Sequence, residues 1–226
     1  MISNDFYRRY KILVSSNPIF PRYLRWVYRA SLKGFRRMGT PLDIEKERFT
    51  ALLCGTCGEV TSSIFVEHIL RFNNHARIII LDLGDAQIKH SKEMTSKKFP
   101  DADVSYVVAD ARNSGLPAAS IDFIDTDFMF EYLDERGLNQ LFAEWRRILV
   151  RRGHIAFRTF GTTSWLSRQL DYLLIHGFCR LLMKSDVYSH SLESIENMLQ
   201  SNGFRYSIIG RAFVPFGYRF VATLGA

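Results

Sequence analysis

Apolar and polar positions follow two alternating rhythms along most of this chain. Phe49-Thr-Ala-Leu-Leu-Cys54 is a short apolar run that breaks at Gly55-Thr-Cys-Gly58. A helical pattern follows, with Val60, Ile64, Phe65, Ile69 and Leu70 on one face. Ala76 to Leu81 is a second run, apolar enough for a strand covered on both faces, and it ends in Asp82. The rhythm continues through a helix over 85–98 closed by Pro100 and a strand over 104–109 that ends at Asp110-Ala111-Arg112. A strand over 123–126 ends at Asp127-Phe128, then come a helix over 135–149 and a strand over 154–160. After an apolar-rich stretch, 165–183, there is a helix over 191–201 stopped by Asn202-Gly203, then two last runs, 204–213 and 218–224. The Val214-Pro-Phe-Gly217 link between those runs is too short for a parallel crossover, so it sets them antiparallel. Strands alternating with helices predict an α/β fold, a mostly parallel sheet with right-handed crossovers.

In front of this pattern lies a different one. From Pro21 to Met38 the spacing predicts an amphipathic helix, with Leu24, Val27, Tyr28, Ser31 and Phe35 on one face and Arg22, Arg25, Arg29, Lys33 and Arg36 on another. Residues 1–40 hold nine Lys/Arg against Asp5 alone, so the formal charge of +7 belongs to this segment and the remainder sums to −1. The basic face reads either as the solvated side of a cap helix or, over residues 21–38, as a dock for an anionic membrane surface or an acidic carrier protein. We divide the chain into a basic helical segment, 1–44, and a domain over 45–226 with a lid insert at about 162–190. No run is long and apolar enough to cross a bilayer, and the charged N-terminus does not suit a signal peptide. A cytoplasmic protein is expected, one able to sit at the membrane periphery.

A glycine turn between a buried strand and a helix lets a ligand approach the backbone. A carboxylate at the end of the next parallel strand, Asp82, can accept two hydrogen bonds from a ribose diol in the same crevice. Together they read as a nucleoside pocket.

Over residues 48–224 the chain resembles the class I S-adenosylmethionine-dependent methyltransferases, in the broad small-molecule and quinone-type group. Six pieces carry the resemblance, in order. They are Leu52-Leu-Cys-Gly-Thr-Cys-Gly-Glu59, Ile80-Leu-Asp82-Leu83, Val108-Ala-Asp110-Ala111, Leu116-Pro117 with Ser120-Ile121-Asp122, Glu144-Trp-Arg-Arg-Ile-Leu149 with Gly153, and Ser201-Asn-Gly203-Phe204. The resemblance implies a Rossmann-like, seven-stranded, mostly parallel sheet with an antiparallel last strand. It implies S-adenosyl-L-methionine as cofactor and methyl transfer to a small, apolar or lipid-like acceptor.

It also implies that Cys54, Gly55, Thr56, Cys57 and Gly58 wrap the methionine part and Asp82 takes the ribose. Leu83 would lie against the adenine, Asp110 and Ala111 would meet its edge, and Asp127 and Phe128 would border the methionine end and the acceptor. Two departures stand out. Either Cys57 or Thr56 replaces a glycine of the turn, depending on register, and Arg151-Arg152 stands where the family has Lys-Pro.

Methyl transfer from a sulfonium needs alignment and, for some acceptors, a base; it requires no fixed nucleophile and no metal. Asp127, Glu131, Tyr132 and His190 are candidate bases, each weighed equally against surface or structural hydrogen bonding. His68 reads as a surface residue, and His154 as a strand start with no nameable partner. In the insert, Trp165, Leu166, Leu170, Tyr172, Leu173, Leu174, Phe178, Leu181 and Leu182 would give an apolar acceptor chamber, with core packing the default for half of them.

Other readings stay open: a methyltransferase-like binding or scaffold protein without turnover, and an RNA methyltransferase. Nucleic acid is disfavoured, because Asp127-Phe-Met-Phe130 stands where a base-methylating Asn-Pro-Pro-Tyr would be. Cys54-x-x-Cys57 also fits a redox site, which the three strand-end carboxylates argue against.

Overall fold

A computed structural model describes residues 17–56, 59–177, 179–183, 187–212 and 216–225. Helix α1 (Ile19–Arg37) leads into β1 (Thr50–Cys54), α2 (Glu59–Leu70), β2 (Arg77–Asp82), α3 (Asp85–Lys98), β3 (Val104–Val108) and β4 (Ile121–Asp127). A single 3-10 turn, Phe130–Tyr132, precedes α4 (Glu135–Ile148) and β5 (Leu149–Phe160). The insert holds α5 (Trp165–Asp171) and two π-helical turns, Tyr172–His176 and Cys179–Met183. Helix α6 (Leu192–Ser201) and strands β6 (Phe204–Arg211) and β7 (Gly217–Leu224) complete the fold.

The seven strands form one sheet in the order β3-β2-β1-β4-β5-β7-β6. Strands β1 to β5 run parallel, and β7 is antiparallel to both neighbours, β5 and β6. The predicted sheet and its antiparallel closing strand are present. Alternate strand residues serve two cores. Leu52, Ile79, Ile124, Phe157 and Phe220 face α4 and α6, packed by Phe142, Trp145, Ile195 and Leu199. Ala51, Leu53, Ile78, Ile80, Phe123 and Val221 face α1 and α2, packed by Leu24, Tyr28, Phe35, Phe65 and Ile69.

Two boundaries move with a visible cause. Helix α1 starts before Pro21, because Asn17 accepts from the Ile19 N–H through its side chain (2.9 Å) and from Phe20 through its carbonyl (3.0 Å). Proline is tolerated in that first turn, where its missing N–H has no role. Strand β5 begins at Leu149, since Leu149 pairs with Ile121 ahead of a register shift, and Arg152 takes a positive φ of 60° before Gly153. The strand start at His154 has a partner after all. Its Nε2 lies 2.9 Å from the Thr40 carbonyl and its ring meets Phe35 edge-on.

Helix α1 runs antiparallel to β5: Tyr28 lies under Arg158, near the strand's carboxyl end, and Phe35 against His154, nearer its start. The helix therefore begins at the edge of the sheet where β1, β2, β4 and β5 end. It covers a sheet face rather than that edge. His68, expected at the surface, stacks on Tyr28 with centroids 5.0 Å apart, and burial lowers its pKa to about 4.

Candidate active site

Strand order reverses between β1 and β4, the place where open α/β sheets leave a crevice for ligands. Gly55 follows β1 with a φ of +76°, and its N–H donates to the Leu81 carbonyl at 2.8 Å. A Cβ there would stand 2.8 Å from the Met129 sulfur, so the Met129 side chain lies on the turn and would have to shift, while the positive φ itself favours glycine.

The next residue ties the turn to β2. The Thr56 N–H donates to Asp82 Oδ2 (2.6 Å), and the Gly84 N–H donates to Oδ1 (2.8 Å). Burial raises the Asp82 pKa to about 6, and the N–H groups of Gly84 and Thr56 work against that rise. A chain of buried hydroxyls continues inward, from Thr56 to Ser62 on α2 (2.8 Å) and on to Ser91 on α3 (2.7 Å). This chain fastens the turn to the two helices behind it. Leu83, 56% exposed, presents an apolar side chain beside the carboxylate. Cys57 and Gly58 lie outside the described residues, and with them the register of the turn. Cys54 is buried, and burial pushes its thiol up to about 12, which leaves it unreactive near neutral pH.

At the end of β3, Asp110 is clasped by its neighbour. The Arg112 guanidinium donates to both carboxylate oxygens at 2.6–3.1 Å, and the Arg112 N–H adds a bond of 2.9 Å. The clasp holds the Asp110 pKa below the usual range. Ala111, half-buried, sits beside it.

The β4 side is built from buried charge. Arg158 on β5, 0% exposed, gives Nη1 and Nη2 to Asp125 (2.6 and 2.9 Å) and Nε to Asp127 (2.9 Å). Burial opposes the charge on Arg158, but the two carboxylates outweigh it and its pKa rises. Past Asp127, Phe128 adopts a φ of +49°, strained for a residue with a side chain, and packs on Phe160 at 4.7 Å.

The candidate bases separate. The Glu131 carboxyl accepts at Oε1 from the Thr159 hydroxyl (2.8 Å) and the Phe160 N–H (2.7 Å), while Oε2 is buried with no partner among the described residues. Burial pushes its pKa up to about 7. His190 is buried, and its Nε2 lies 3.1 Å from the Phe130 carbonyl and 3.0 Å from that of Leu133. Both partners are acceptors, so Nε2 carries the proton and the ring secures the 3-10 turn. Tyr132 is half-buried on that turn.

The insert departs from expectation. Trp165, Leu166, Leu170, Tyr172, Leu173, Leu174 and Leu181 are all exposed rather than gathered into a chamber. Phe178 lies outside the described residues. Two features of the site were missed in the sequence, Asp125 and Arg158. Their signal was a charge of each sign inside strands otherwise apolar enough to be buried.

Residues 53–157 match the family model for a methyltransferase domain. Of solved structures, an S-adenosylmethionine-dependent methyltransferase from Methanosarcina mazei aligns at 15% identity and TM-score 0.58, covering 80% of this chain and 94% of its own. A Pyrococcus horikoshii OT3 protein aligns at 16% identity and TM-score 0.65, covering 98% and 99%. Geranyl diphosphate C-methyltransferase from Streptomyces coelicolor A3(2), bound to Mg2+, geranyl diphosphate and S-adenosyl-L-homocysteine, aligns at 13% and 0.61, covering 93% and 87%. No curated protein matches the sequence. Residues 53–157 thus carry a methyltransferase domain, and the chain has the fold of solved S-adenosylmethionine-dependent methyltransferases. Among the described residues, no helix is long and apolar enough to cross a membrane, and no group of three His, Cys, Asp or Glu converges as a metal site.

Proposed function

We propose that this protein transfers a methyl group from S-adenosylmethionine to a small apolar or lipid-like acceptor. The observation that carries the reading is the Asp82 carboxylate at the switch point, held by the Thr56 and Gly84 N–H groups beside exposed Leu83. Bound there, S-adenosylmethionine supplies a carbon already activated by its sulfonium. The chain's own residues bind and orient. Asp82 takes the ribose hydroxyls, Leu83 covers one adenine face, and Asp110 and Ala111 meet the adenine edge once the exposed Arg112 gives way. The turn from Cys54 through Gly58 lies along the methionine part. Asp127, with one oxygen committed to Arg158, keeps its other for the cofactor's ammonium group.

On the acceptor side, Phe128 and Phe160 form an apolar wall. Glu131 has a pKa near 7 and one unpartnered oxygen, but that oxygen is buried, so it takes a proton from an acceptor only once the loop beyond β4 moves aside. Asp127, Tyr132 and His190 act as scaffold or secondary contacts. An apolar acceptor fits the wall of Phe128 and Phe160, and the basic face of residues 21–38 favours delivery from an anionic surface.

Methyl-labelled S-adenosylmethionine, offered with a panel of isoprenoid, quinol, phenol and polar acceptors, tests the reading. Label is expected in the apolar members. Transfer confined to polar acceptors contradicts it.

A further inference from the structure

The insert presents its apolar side chains outward at the catalytic edge, and nothing among the described residues covers them. Trp165 is 74% exposed, Leu173 70% and Leu181 78%, with Leu166, Leu170, Tyr172 and Leu174 also open on the same segment. A patch of this kind marks an interaction surface rather than scattered exposure. The charges on the segment are sorted. Among its described residues the one carboxylate, Asp171, is buried and bonded to the Ser189 hydroxyl, which also lies 2.9 Å from His176 Nε2. Arg168 stands outside. Among the described residues the exposed face is therefore apolar and basic, with no exposed acid.

That combination chooses among occupants. In a two-fold contact with a second copy, Arg168 would meet the same apolar and basic face, with no exposed carboxylate among its described residues. A protein recognised by its acidity would leave seven large apolar side chains without a role. A bilayer with anionic headgroups satisfies both, taking leucine, tyrosine and tryptophan at the headgroup–acyl boundary and arginine at the phosphates. The first turns of α1, which begin at this same edge, add exposed Ile19 and Arg22.

We propose that the 165–181 face inserts into the interfacial layer of an anionic membrane, so that the acceptor moves from lipid to the site without crossing water. This rests on the reading of an apolar acceptor. It also places the membrane contact on the lid rather than along the whole of α1, whose far end lies at the opposite edge of the sheet.

The test is sedimentation of the full chain with vesicles of phosphatidylcholine plus phosphatidylglycerol, and with phosphatidylcholine alone. Binding to the anionic vesicles is expected. Replacing Trp165→Ser, Leu173→Ser and Leu181→Ser together should lower the partition coefficient about tenfold or more. Met94→Ser, an exposed apolar residue on α3, should leave it unchanged.

Titration with S-adenosylmethionine checks that the triple variant remains folded and separates the two readings. Loss of cofactor binding in the wild type would strike the proposed reaction, while vesicle partition would still decide this inference. No binding of wild type to anionic vesicles overturns it. So does binding that survives the triple change but is abolished by Arg22→Glu with Arg29→Glu, the pattern of a purely electrostatic dock. A dimer in sedimentation equilibrium that the triple change dissociates overturns it in favour of a second copy.

Discussion

At the β2 end of the sheet, the Asp82 carboxylate is held by two main-chain N–H groups. At the β4 end, the carboxylates of Asp125 and Asp127 are held by one guanidinium. The first arrangement leaves a carboxylate at the mouth of a crevice, fixed by backbone and ready for a ligand. The second sinks three charges below the surface, where they set the shape of the strand ends. The difference teaches that the crevice beside β1 and β2 depends on backbone geometry and few side chains, whereas the β4 side depends on an internal ion network supporting a loop.

Breaking the network should have the largest effect. Arg158→Met leaves two buried carboxylates unpaired and should lower stability by about 3–5 kcal/mol, measured by urea unfolding. Adding Asp125→Leu should recover much of the loss, since removing both partners is far milder than removing one.

Glu131 gives the next effect, through pH. Burial raises its folded pKa to about 7 from an ordinary 4.5, so the folded state holds its proton more tightly than the unfolded one. Its contribution is complete below about pH 4.5 and is lost as pH rises through 7, a change of about 3 kcal/mol at most. Asp82, with its pKa raised to about 6, adds to the lower part of that window. Glu131→Gln, followed by thermal unfolding at several pH values, should flatten the slope between pH 6 and 7.5, where Glu131 dominates.

The smallest of the three sharpens the backbone side. Gly55→Ala meets both a φ of +76° and the Met129 sulfur, and should cost about 1–2 kcal/mol while weakening cofactor affinity. An unaltered affinity would show that the turn does not shape the pocket.

The fold was largely legible because hydrophobic rhythm and punctuation agreed. Helix α3 spans 85–98 as expected, bracketed by the strand-end Asp82 and by Pro100. The places of Asp82 and Gly55 were legible too, a carboxylate at the end of β2 and a positive-φ glycine after β1. Arg158 was not. A charge within an apolar strand shows neither its partner nor its depth until strand register sets it beside Asp125 and Asp127. His154 and His68 escaped for the same reason, as their partners Thr40, Phe35 and Tyr28 come from the helical segment far away in sequence. The insert misled because helical spacing says which residues share a face, not whether that face turns in or out.

The most direct test of the central claim is calorimetric titration of S-adenosylmethionine into wild type and Asp82→Ala, with circular dichroism to verify that both are folded. The account predicts saturable one-to-one binding to wild type and a loss of about 100-fold in the variant, the scale of two hydrogen bonds to a charged acceptor. Equal affinity in two folded proteins would contradict it.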